Sequence, residues 1–120
     1  MHDKLFTVVA THLKAKYSEE DKAARLRQVN VLIEKYEKSE HPVIICGDFN
    51  DEPDSACVVR MKESFESCKE LVDGKEFSFT TMKCRNDKMT KRTIDYVWLQ
   101  KGSALKPCGW LAMPEEDKID

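Results

Sequence analysis

With 120 residues, the chain has room for one domain or a piece of one. Charged residues make up 35% and the hydrophobic set 41%, which excludes a membrane-embedded protein and argues against wholesale disorder. Twenty basic against 22 acidic residues leave a net charge of -2, so there is no generally basic nucleic-acid surface and any phosphate site must be local.

The N-terminus, Met1-His2-Asp3-Lys4, has neither the apolar core of a signal peptide nor the basic character of a transit peptide. Leu5 to Ala10 is β-branched and apolar on both faces, so it predicts a buried strand. Ser18 followed by Glu19, Glu20 and Asp21 predicts a helix start, with a hydroxyl cap and three acids at the positive end of the dipole. Leu26, Val29, Ile33 and Tyr36 then recur on one helical face, and the helix should stop before Pro42. Val43 to Cys46 predicts a second strand, closed by Gly47-Asp48-Phe49-Asn50. Strand, helix and strand make a βαβ unit with parallel neighbouring strands.

Further on, Asp54 is expected to cap a helix over Ser55 to Glu63, with a short helical turn from Glu66 to Leu71 and a turn at Asp73-Gly74. Thr93 to Leu99 is strongly strand-like, and Leu105 to Met113 is expected to hold one more strand, weakened by Pro107 and Gly109. The fold class is therefore α/β (or α+β), in one unit. Five cysteines, Cys46, Cys57, Cys68, Cys84 and Cys108, form no Cys-x-x-Cys pair. They are expected to be reduced thiols in an intracellular, cytoplasmic protein, with no zinc site.

Polar residues fall at the ends or edges of these strands: His12, then Asp48 and Asn50, then Asp95. The carboxyl ends of parallel strands are where ligands collect in open α/β sheets. An extended backbone would point Asp48 and Asn50 the same way and turn Phe49 to the other face. The pair either closes a turn through its own backbone or holds a hard cation or a water. His12 is either structural or a hydrogen-bond donor to phosphate. Asp95, among apolar neighbours, is costly unless it is paired. From Met82 to Arg92 run five basic groups, Lys83, Arg85, Lys88, Lys91 and Arg92, against the single acid Asp87. They form either a solvated loop or a phosphate-binding rim.

The order Thr11-His12-Leu13, Cys46-Gly47-Asp48-Phe49-Asn50 and Thr93-Ile94-Asp95-Tyr96-Val97-Trp98 resembles the endonuclease/exonuclease/phosphatase superfamily. Thr11 to Lys16, Thr80 to Arg85 and Arg92 to Tyr96 are similar to its nocturnin-like, deadenylase-related branch. The resemblance implies part of a four-layer αββα sandwich and a magnesium-dependent phosphatase acting on the 2′-phosphate of NADP(H). A 3′-exoribonuclease that shortens poly(A) RNA is the alternative. It implies catalytic roles for Asp48 and Asn50 in holding water, phosphate and Mg2+, for His12 in stabilising phosphoryl charge, and for Asp95 in orienting a histidine. Lys14, Lys16 and Arg85 match positions that grip phosphates. Lys16 stands where the branch tends to have arginine, and Met82 where it tends to have tryptophan.

The family's metal-binding glutamate lies well upstream of the Thr-His-Leu block, and its catalytic histidine lies in a Ser-Asp-His motif downstream. Only eleven residues precede His12, and no such motif follows Asp95. Residues 1–120 are thus expected to be roughly the C-terminal half of the family domain, without its final strand and inactive by themselves. Such a half domain would leave a sheet face open, which also suits an interaction module or a partner chain that supplies the missing strands. A mitochondrial targeting segment, if one exists, would lie upstream of Met1.

Overall fold

Two apolar strands joined by a capped helix organise the chain. A computed structural model describes residues 5–71 and 79–108. Strand β1 (Thr7–His12) leads through helix α1 (Glu19–Tyr36) into strand β2 (Val43–Asp48), and the two strands pair in parallel. Helix α2 (Ala56–Lys62), the short strand β3 (Phe65–Ser67) and a single turn, α3 (Cys68–Leu71), follow. Strands β4 (Thr81–Arg85) and β5 (Lys88–Arg92) form a two-stranded sheet of their own, and β6 (Asp95–Gln100) returns to the main sheet. The main sheet has the order β1-β2-β6-β3, with β6 antiparallel to both neighbours.

The start of α1 follows from its first four residues. The Ser18 hydroxyl accepts from the Asp21 amide, and the Asp21 carboxylate accepts from the Ser18 amide, so two orphan donors are satisfied reciprocally. The Ser18 side-chain bond holds the Asp21 carboxyl below its ordinary range. A depressed carboxyl contributes stability above the ordinary carboxylate range, and that contribution is lost as the pH falls through its folded-state value. Ser18→Ala is expected to destabilise the chain by about 1 kcal/mol near neutral pH. Denaturant melts at pH 7 and pH 3 would check this, and a gap between the two proteins that is no smaller in acid would count against the reciprocal cap.

Val29 and Ile33 of α1 and Val58 and Met61 of α2 share one core with Val43, Ile45, Phe49, Phe65, Tyr96 and Trp98. Both helices therefore cover the same face of the sheet. Arg25 sits four residues before Val29 and is buried in the same stripe. The opposite face follows from the register, because side chains directly opposite each other lie on one face. Its rows are Val8–Ile44–Leu99, Ala10–Cys46–Val97 and His12–Asp48–Asp95. Two apolar rows thus end in a polar one.

Strand β1 does not have the two buried faces expected of it. Its burial alternates residue by residue, and Val8 is 58% exposed because no described element lies over that end of the sheet. Toward β3 the same face is partly covered by Leu105 and Pro107, leaving an apolar cavity of about 300 Å³ against Ile44, Cys68 and Val97.

Other expectations are adjusted. The cap of α2 is Ser55 rather than Asp54, because the serine hydroxyl accepts from the Val58 amide. The Glu66–Leu71 stretch opens as strand, since Phe65 and Ser67 are buried while pairing with β6, and only Cys68–Leu71 is helical. The basic run is a hairpin rather than a loop. Asn86 and Asp87 have φ of 50° and 60°, the left-handed pair that a two-residue hairpin turn requires. Leu105 to Cys108 form no strand, and the rest of that expected strand, like the Asp73-Gly74 turn, lies outside the described residues. No helix among the described residues is long and apolar enough to cross a membrane.

Candidate active site

The polar row lies at the carboxyl ends of β1 and β2. His12 is opposite Asp48 in the parallel pair, and Asp48 is opposite Asp95 in the antiparallel pair. Three residues far apart in sequence therefore line up across three adjacent strands. His12 Nε2 lies 3.7 Å from Asp48 Oδ2, too long for a hydrogen bond, and the imidazole is largely open to solvent. Asp95 is the first residue of β6 and is exposed, so it is not the buried carboxylate that its apolar neighbours suggested. Among the described residues, none donates a hydrogen bond to its carboxylate. Its backbone amide is held by Thr80 Oγ1 at 3.1 Å.

Asp48 and Asn50 are linked more tightly than simple alternation would make them. Asp48 Oδ1 accepts from the Asn50 amide at 2.8 Å. Asn50 has φ of 51°, so the chain has left the extended conformation and the expected same-side projection does not apply. Asn50 Nδ2 instead donates to the Leu13 carbonyl at 2.7 Å, which ties this loop to the end of β1. That bond leaves the Asn50 Oδ1 oxygen free among the described residues. Phe49 points the other way and is fully buried, edge-on to Tyr96.

Next to this row, the loop after β1 and the β4–β5 hairpin enclose a cavity of about 430 Å³. Lys16, Lys83, Arg85 and Arg92 line it together with Asn50, and among the described residues no carboxylate does. Four cations facing one space favour an anion, and arginine adds the fork geometry suited to phosphate. The structure thus brings Lys16 and Arg85 together but leaves Lys14 out of the lining. Lys14 Nζ lies 3.8 Å from Asp21 Oδ1 on α1.

Sequence reasoning missed Arg25. Its side chain is wholly buried, and Nη1 donates to the carbonyls of Lys14 and Lys16 at 2.8 and 2.5 Å. Nε donates to Asp51 Oδ2 at 2.9 Å. The basic loop and the loop carrying Asp48 and Asn50 are thereby fastened to one guanidinium. The available signal was an arginine at the i−4 position of a buried helical stripe. Tyr96, whose hydroxyl donates to the Asp51 carbonyl at 2.8 Å, braces the same loop, and burial pushes its phenol far above the usual range.

A profile described as Endonuclease/Exonuclease/phosphatase family matches residues 2–117. The chain belongs to that family. Among curated members of the family, nocturnin of Xenopus laevis is 34% identical over 119 residues, covering 91% of this chain and 30% of the relative. Nocturnin of Homo sapiens is 32% identical over 106 residues, covering 80% and 24%. The solved structure of the human Nocturnin catalytic domain with bound sulfate anion superposes with a TM-score of 0.55 at 28% identity. It covers 78% of this chain and 35% of that one. A family member from Bacteroides thetaiotaomicron has a TM-score of 0.61 at 19% identity over 78% of this chain and 34% of its own, which speaks to fold alone. The chain therefore spans less than a third of the length of these curated relatives. Its mixed α/β architecture is that of the nocturnin-like branch of the family.

Proposed function

We propose that this chain forms part of a metal-dependent phosphoric ester hydrolase that removes the 2′-phosphate of NADP(H). The observation that carries the reading is the junction at Asn50. This residue is bonded to the Asp48 carboxylate through its backbone amide, and it also lines the four-cation cavity. A phosphate seated among Lys16, Lys83, Arg85 and Arg92 would thus lie beside a carboxylate able to orient water. In this reading Asp48 directs a water at phosphorus, the new P–O bond forms as the ester bond breaks, and the departing ribose oxygen takes up a proton. His12 donates to the phosphoryl oxygens, and Asp95 orients an imidazole beyond this chain.

Enzymes of this family generally use a divalent metal. Among the described residues, no three His, Cys, Asp or Glu side chains cluster as a metal cage. The oxygens present nevertheless fit Mg2+, which typically takes only one or two carboxylates and keeps several waters. Asp48 and Asn50 Oδ1 would hold it, and it would offset charge on the phosphoryl oxygens. Without the upstream glutamate and the histidine of the family pattern, the 120 residues alone are expected to give no useful turnover.

The test compares phosphate release from NADP with AMP release from oligo(A), using the protein at the length its transcript encodes. Faster release from NADP, dependent on Mg2+ and abolished by Asp48→Ala, is expected. Arg85→Ala should lower kcat/KM for NADP about 10- to 100-fold, the range for losing a charge-assisted hydrogen bond. Preferential trimming of oligo(A) would instead favour the exoribonuclease, and unchanged NADP turnover in Arg85→Ala would remove its gripping role.

A further inference from the structure

One side chain on the basic loop has no role in the reading above, yet it touches both walls of the cation-lined cavity. Two guanidinium groups lie over the half-exposed ring of Tyr17. Arg25 Cζ is 5.2 Å from the ring centroid and Arg92 Cζ is 4.6 Å. Each guanidinium has its own carboxylate from consecutive residues of the loop after β2. Arg25 Nε lies 2.9 Å from Asp51 Oδ2, and Arg92 Nε lies 3.6 Å from Glu52 Oε1. A cation on either face of an aromatic ring is attracted by its quadrupole. The paired carboxylates let two like charges share one ring.

The arrangement matters because of what each arginine belongs to. Arg25 is buried in the helical layer and holds the Lys14 and Lys16 carbonyls. Lys16 itself has φ of 77°, a conformation that needs such support in a residue with a side chain. Arg92 ends β5, in a hairpin that among the described residues shares no strand pairing with the main sheet. At the hairpin base, Thr80 Oγ1 accepts from the Ile94 and Asp95 amides, and the Ile94 carbonyl accepts from the Phe49 amide. The separation of Lys16 on one wall from Lys83 and Arg85 on the other is therefore set where Tyr17 is clasped.

We propose that Tyr17 is a positioning residue whose ring, in contact with both Arg25 and Arg92, fixes the hairpin against the loop after β1 and so sets the grip on the substrate phosphate. Its consequence for binding rests on the phosphatase reading, whereas the clasp itself does not. The test uses the chain with Cys46 and Cys108 changed to serine and a nitroxide on the exposed Cys84 of β4; Cys57 and Cys68 are buried. Label mobility and NADP affinity are then measured in this parent, in Tyr17→Phe and in Tyr17→Leu.

Phenylalanine keeps the aromatic face and should restore parent behaviour in both readouts. Leucine keeps bulk without the face. It should free the label and weaken NADP binding about five- to tenfold, in keeping with two cation–π contacts on a half-exposed ring, with the denaturant midpoint unchanged. A Tyr17→Leu protein whose label stays as restrained as the parent's would overturn the proposal, as would one in which phenylalanine fails to restore it. Should leucine free the label while the parent binds no NADP, the clasp stands and the phosphatase reading falls.

Discussion

Gly47→Ala is expected to cost most of the stability of the chain and to dismantle the polar row. Gly47 immediately precedes Asp48 and has φ of 146°, a conformation that side-chain-bearing residues rarely adopt. A Cβ built there would lie 1.9 Å from the Thr11 carbonyl oxygen and 2.9 Å from its carbon. Both atoms belong to the backbone of β1, so relief requires prising β1 from β2. The backbone conformation alone costs about 1–3 kcal/mol, and overpacking a fitted interior costs about 1–3 kcal/mol more. Against a typical net stability of about 5–15 kcal/mol, that is a large share. Urea unfolding measures it, and a midpoint equal to that of the parent would show that the strands part without penalty. Because the clash separates His12 from Asp48, the activity of the protein at the length its transcript encodes should fall as well.

Asp51→Ala should be nearly as damaging, for an electrostatic reason. Arg25 is fully buried and Asp51 Oδ2 is the carboxylate that balances it. Removing one partner of a buried pair leaves an uncompensated charge and costs about 3–5 kcal/mol. The loss should be largely recovered in stability, but not in ligand binding, when Arg25→Met is added. The double variant removes the buried charge and also the ties to the Lys14 and Lys16 carbonyls. Guanidinium melts of the single and double variants decide the matter. If the double variant were no more stable than Asp51→Ala, the cost would lie in lost packing rather than stranded charge.

Much of this was legible in the sequence because it rests on short-range rules. The βαβ unit followed from two apolar runs flanking a helix that announces its own start, since Ser18 and Asp21 cap each other. The candidate site was legible to the extent that strand ends are where polar residues gain room. His12, Asp48 and Asp95 were named from that alone, and the register shows them in one row. What stayed hidden depends on non-local geometry. The hairpin escaped notice because its alternation is short, Met82 and Cys84 against Lys83 and Arg85, and charged residues dominate the run. The left-handed turn of Asn50 is set by its bond to Leu13, a residue 37 positions away. Arg25 went unnoticed, because burial of an ion depends on partners that only the fold assembles.

The β4–β5 hairpin carries a consequence for how such a protein can change over generations. Met82 to Lys91 are exposed throughout, and the helix-covered core draws nothing from them. Substitutions along these strands therefore escape the purge that removes destabilising changes, since exposed positions typically shift stability by only about 0.5 kcal/mol. Lys83 and Arg85 face the cation-lined cavity from this same stretch. Lineages could thus exchange one phosphate-bearing ligand for another by drift and selection in ten residues, while the sheet that presents Asp48 is inherited unaltered.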